Sequence, residues 1–117
     1  MRSILVAACV LALSATAASA DESAMTSRFG NTTIAKNKNG TESHIYFNAD
    51  HTFTGKVLRP AVALKGTWKV EGDNVCMIYT PPPFGVTNPQ CKKLDAHQVG
   101  DTWTDGLWKV TIVAGIK

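Results

Sequence analysis

The sequence predicts an all-β protein: an antiparallel meander of about eight short strands, curled into a small barrel or a strongly bent sheet. Three observations carry that expectation. Apolar and polar residues alternate with period two through most segments between residues 32 and 114. Turn dipeptides recur between those segments: Asn39-Gly40, Gly72-Asp73 and Asp105-Gly106. No segment of residues 21–117 keeps the repeat of about 3.6 residues that marks an amphipathic helix.

The clearest element is the stretch around Trp68. Val62, Leu64, Gly66, Trp68 and Val70 share one parity, and Ala63, Lys65, Thr67, Lys69 and Glu71 share the other. Successive side chains of a strand point to opposite faces, so this is a half-buried strand. Gly72-Asp73 supplies a two-residue turn with Gly first, as a type II′ hairpin requires. That turn sets Glu71 opposite Asn74, Val70 opposite Val75, Trp68 opposite Met77 and Gly66 opposite Tyr79. Val75, Met77 and Tyr79 then share the face of Trp68, so pattern and turn agree. Gly66 leaves room for a ring to cross the backbone, and Cys76 falls opposite Lys69 on the other face.

The chain opens on a targeting segment, residues 1–20. Arg2 is its positive start, residues 4–13 are a short apolar run, and Ala18-Ser19-Ala20 is a small-residue cleavage site. Val6-Ala7-Ala8-Cys9 also resembles a lipoprotein box, but few apolar residues precede Cys9. Cleavage after Ala20 leaves residues 21–117 as one domain, periplasmic or secreted, and removes Cys9. Cys76 and Cys91 remain, and an oxidising compartment favours joining them. Closing a loop of about sixteen residues stabilises by about 3 kcal/mol in the chain-entropy model. A zinc or redox pair would need closer spacing. Losing Arg2 from the twelve lysines and arginines leaves eleven against nine acids, net +2. The charges are scattered, with Lys92-Lys93 the only adjacent basic pair, so no nucleic-acid footprint is present. No second apolar segment reaches membrane-spanning length, and the exported chain is expected to be soluble.

The remaining elements follow in order. Residues 21–30 are polar and read as a frayed arm or a single turn. Residues 32–36 form a strand, and Asn39-Gly40 pairs Ile34 with Ile45 and Thr32 with Phe47. Ile45 and Phe47 then face the core, while His44 and Tyr46 face out. Residues 48–52 turn the chain, and Phe53, Gly55 and Val57 follow at period two. Pro60 marks a bulge, a bend or an edge. Residues 91–96 form a modest strand with Leu94 inward. Asp105-Gly106 pairs Trp103 with Trp108 and aligns Trp108, Val110, Ile112 and Ala114. The three tryptophans, with Phe47, Phe53 and Leu64, are expected to fill the interior, as is usual for so small a barrel.

The run from Tyr46 to Gly55 (YFNADHTFTG), then Gly66-Thr67-Trp68-Lys69-Val70-Glu71-Gly72-Asp73 and Cys76, resembles small secreted bacterial β-proteins of unknown function. Its Gly-x-Trp element is lipocalin-like. The likeness covers residues 31–104 and implies an exported antiparallel β-domain, without catalytic residues to carry over. In such proteins the first turn reads Asp-Gly; here His51 stands in place of the Gly.

No catalytic, metal or nucleotide motif emerges. His44, His51 and His97 share no ligand-like spacing, so no metal and no cofactor is implied. The aspartates fall mostly at turns, where backbone chemistry explains them, and no nucleophile elbow occurs. Asn31-Thr32-Thr33 and Asn39-Gly40-Thr41 match the glycosylation sequon, chance matches if the source is bacterial, as the resemblance implies. The expectation is a non-enzymatic binding protein. Its partner-binding element is the loop of residues 81–89, with Pro81, Pro82, Pro83, Phe84 and Gly85, stiffened by proline and tethered by Cys76 and Cys91. Phe84 either contacts a protein partner, an inhibited enzyme among the options, or folds back as a lid. The alternative is a lipocalin-type carrier of a small apolar ligand, for which the interior would have to be hollow.

Overall fold

A computed structural model of the chain describes residues 22–117; residues 1–20, expected to be a targeting segment, lie outside them. Eight strands are present: β1 (Thr32–Asn37), β2 (Glu42–Phe47), β3 (Thr52–Leu58), β4 (Ala61–Glu71), β5 (Asn74–Tyr79), β6 (Gln90–Lys93), β7 (Thr102–Asp105) and β8 (Trp108–Val113). They form one antiparallel sheet in the order β6-β5-β4-β3-β2-β1-β8-β7. Because β8 returns to pair with β1, the predicted meander curls into a nearly closed barrel. Its edges are β6 and β7, and the ion pair from Lys92 Nζ to Asp105 Oδ2, 3.5 Å, spans them.

The β4–β5 hairpin has the predicted register, with Trp68 opposite Met77 and Gly66 opposite Tyr79. Gly72 takes φ +59° at the first turn position, where an L-residue would be strained. Gly66 marks the closest backbone approach. A Cβ there would overlap the Ile78 carbonyl oxygen and lie 2.9 Å from the Phe53 ring. The ring crossing the backbone is thus that of Phe53, the β3 partner of Gly66, and it meets Tyr79 edge-on at 5.1 Å. On the outer face Cys76 opposes Cys91 across β5 and β6, and the two form a disulfide.

Two other hairpins differ from their predicted registers. Asn39-Gly40 does not form a two-residue turn. Asn37 Oδ1 accepts from the amides of Asn39 and Thr41, Gly40 N donates to Asn37 O, and Gly40 alone turns left-handed at φ +86°. The loop therefore has three residues, and Thr33, not Ile34, opposes Ile45. An odd slip moves β1 to the other face: Thr33 and Ala35 point inward, and Ile34 points out. At the second site Gly106 and Leu107 are the central residues, so Asp105 opposes Trp108 and Trp103 opposes Val110. Gly106 takes the positive φ, +63°, a Gly-first turn like that at Gly72. That slip is even, so Trp103, Trp108, Val110 and Ile112 keep their predicted face. Pro60 sits in the two-residue β3–β4 turn, with Leu58 opposite Ala61.

Residues 22–28 are neither frayed nor a single turn but a 3-10 helix, Glu22–Arg28. The helix caps the barrel end that holds the β2–β3 and β4–β5 turns. Met25 is fully buried, Ser27 Oγ donates to His97 O, and Phe29 packs on Trp68 at 5.9 Å. Met25 joins Ile45, Phe47, Phe53, Leu64, Trp68, Val75, Met77 and Leu94 in the core. His51 fastens the same end. It takes the glycine-like conformation, φ +71°, at a cost of about 1–3 kcal/mol. Offsetting that, its ring lies 4.5 Å from Trp68 and its Nε2 is 2.7 Å from Glu22 Oε1. His44 lies on the outer face as predicted but is buried, flanked by its strand neighbours Ile34 and Lys56, with Nε2 2.7 Å from Glu42 Oε2. That contact holds the Glu42 carboxyl below its ordinary pKa, against a smaller opposing effect of burial.

Candidate functional site

The barrel is not filled by its own side chains. A cavity of about 260 Å³ lies within the curl of the sheet, just below the range of about 300–1,000 Å³ typical of small-molecule sites. Its wall is chiefly apolar: Ala35, Ile45, Val57, Leu64, Met77 and Trp108 contribute to it. The expected filling by three tryptophans fails for two of them. Trp68 is packed in the core, 2% exposed, whereas Trp103 and Trp108 are half-buried and line the hollow. Small inward residues on β1 and β2, Thr33, Ala35 and Ser43, leave space that no opposing ring occupies.

The two ends of the cavity differ. Towards the β1–β2 and β7–β8 turns it is bounded by Thr41, Asp105 and Trp108, and by Pro83 and Val86 of the proline loop. On the capped side Arg28 reaches in from the last turn of the 3-10 helix. Arg28 is 6% exposed. Its Nη1 donates to Ala24 O at 2.9 Å, and its guanidinium lies 5.6 Å from the centre of the Trp103 ring. Trp103 is also stacked with His97, centres 3.5 Å apart and planes within 4°. Burial lowers the Arg28 pKa below its ordinary value, and the charge of Asp95 partly opposes that. An arginine stays charged even so. Burial likewise raises the Tyr79 phenol above its usual range.

The proline loop is well anchored. The Asn88 side chain accepts from Tyr79 N and donates to Tyr79 O, both at 2.8 Å, in the manner of a paired strand. Val86 N donates to Pro83 O at 3.0 Å, and Gly85 takes φ +84°. Residues 83–86 thus form a tight turn whose third position requires glycine. Phe84 stands at its corner and is fully exposed, at 105%. It does not fold back as a lid; Pro83 and Val86 are the members of the loop that touch the cavity. Pro81 and Pro82 are exposed beside it.

The sequence signalled the loop and the disulfide, offered a hollow interior only as the alternative, and did not signal Arg28 or Thr33. Arg28 sat in a segment with no pattern, and Thr33 faced outward in the predicted register. The histidines stay apart, on the outer face, on Trp68 and on Trp103. Among the described residues no group of three or more histidine, cysteine, aspartate or glutamate side chains is placed to hold a metal ion, and no helix is long and apolar enough to cross a membrane.

Fold and site together define the class: a small, nearly closed, eight-stranded antiparallel barrel with one disulfide and an apolar cavity. No family model, curated protein or solved structure matches the chain.

Proposed function

We propose that the protein is an exported, non-enzymatic carrier of a small apolar ligand, of the lipocalin type that the Gly-x-Trp pattern resembles. The cavity carries this reading. An interior hollow lined by aliphatic and aromatic side chains loses packing energy unless a ligand restores the contacts. The disulfide fits an oxidising compartment outside the cytoplasm. Titration with small alkyl probes, 1-octanol among them, is expected to show saturable binding of one probe per chain, read by the emission of the cavity-lining Trp103 and Trp108. Ala35→Phe fills the hollow from β1 and is expected to weaken that binding at least about ten-fold, the reverse of the gain from apolar contact. The carrier reading fails if no probe binds saturably, or if Ala35→Phe leaves binding intact in a folded protein.

A second reading rests on Phe84 alone. An aromatic held fully exposed on a stiff, tethered loop loses little entropy when a protein partner covers it. Pro81, Pro82, Pro83, Phe84 and Gly85 would then form a contact surface for a partner protein, including an enzyme that the loop blocks. Phe84→Ala is expected to leave the melting temperature nearly unchanged and to weaken partner binding by about 2 kcal/mol or more, a hot-spot magnitude. Affinity capture from the native periplasm with both forms as bait, read by mass spectrometry, tests this: a partner retained equally by both removes Phe84 from the interface.

A further inference from the structure

The cavity holds two polar groups whose chemistry is incomplete. The first is Arg28. Its guanidinium has five N–H donors; one hydrogen bond, to Ala24 O, engages it, and among the described residues no carboxylate lies within ion-pairing distance of it. Asp95 acts on it only through longer-range attraction. The second is Thr33, an inward residue of β1, 9% exposed. Its Oγ1 has no hydrogen-bond partner within the protein, but it is shielded from the hollow as well, so a ligand there does not reach it. A buried cation without a counter-charge is costly, and Arg28 lines the hollow. The other charged groups on that wall are Lys92, Lys93 and Asp105. Lys92 engages Asp105, so the wall is net positive.

We infer that the ligand is a small amphiphile with an apolar body and an anionic head, a monocarboxylate in the simplest case, its head on Arg28 and its body against Ile45, Leu64 and Trp108. This rests on the carrier reading above and deepens it. A carboxylate accepts two parallel hydrogen bonds from a guanidinium fork. The Trp103 ring beside Arg28 fixes the fork in place, so little side-chain freedom is lost on binding.

The test compares octanoate with 1-octanol on the folded wild-type protein by calorimetry and tryptophan emission. The two share a chain length and differ in the charge of the head. A hollow without a usable cation prefers the alcohol, because burying a bare carboxylate is costly. The expected result is octanoate binding at least about ten-fold tighter than 1-octanol, the effect of one charge-assisted hydrogen bond. Arg28→Gln is expected to abolish that preference. Equal affinities, or tighter 1-octanol, in the wild type overturn the anionic head while leaving the carrier reading standing. So does a preference that survives Arg28→Gln. If neither compound binds, both the anionic head and the carrier reading fall. The wild-type comparison decides the matter even if Arg28→Gln does not fold.

Discussion

Trp68→Ala is expected to destabilise the protein by about 3–5 kcal/mol, the cost of deleting a large buried aromatic and leaving a hole. Trp68 is 2% exposed. Its ring meets Phe47 edge-on at 6.3 Å, Phe29 at 5.9 Å and His51 at 4.5 Å, and its Nε1 donates to Asn48 O at 3.0 Å. One side chain therefore joins the segment after the 3-10 helix, β2, the β2–β3 turn and β4. The next residue along is the control. Lys69 points the other way, its side chain 55% exposed, and its ion pair with Glu71 is exposed on both sides. Lys69→Ala is expected to cost under about 0.5 kcal/mol. Urea unfolding of the three proteins, with slopes compared as well as midpoints, separates stability from a change in the unfolded state. Equal losses at positions 68 and 69 would refute the assignment of inner and outer faces on β4.

Reduction of Cys76–Cys91 is expected to remove about 3 kcal/mol and lower the melting temperature by roughly 12–24 °C in a domain of this size. The bridge lies fifteen positions apart in sequence and joins the edge strand β6 to β5. It shortens the reach of the unfolded chain and holds the strand that anchors one end of the proline loop. β6 has four residues and pairs with β5 alone, so it has little else to keep it in place. Residues 21–117 produced under oxidising conditions should show no free thiol when denatured without reductant. Two thiols per chain in that assay, or an unchanged melting temperature on reduction, would remove the bridge from the stability of the fold.

How far the sequence could be read depended on whether side-chain pattern and turn chemistry gave the same answer. Around Trp68 they did, and the β4–β5 register is the predicted one. At Asn39-Gly40 only the turn dipeptide spoke clearly. The stretch Thr32-Thr33-Ile34-Ala35 offers no sharp contrast between its faces, and the Asn37 side chain captured two amides and added a residue to the loop. At Asp105-Gly106 the slip was even, so the faces survived and only the partners changed. The 3-10 helix escaped because it is short and buries few positions, Met25 and Arg28. The cavity stood only as the alternative for a related reason: a hollow is a difference between opposing side chains, and those opposites depend on the register of β1. The inward Thr33, Ala35 and Ser43 were its trace in the sequence, visible only once β1 is placed on the correct face.

The junction between β6 and β7 has a mechanical consequence. Seven neighbouring strand pairs are stitched by main-chain ladders, and this eighth seam is not. Among the described residues the ion pair across it is the half-exposed Lys92–Asp105 pair, worth about 0–1 kcal/mol and screened by salt over about 10 Å at 0.1 M. The wall can therefore widen along that seam without breaking a single ladder bond. The girth of the barrel is fixed on seven sides by hydrogen bonds and on the eighth by a spring whose stiffness falls as ionic strength rises.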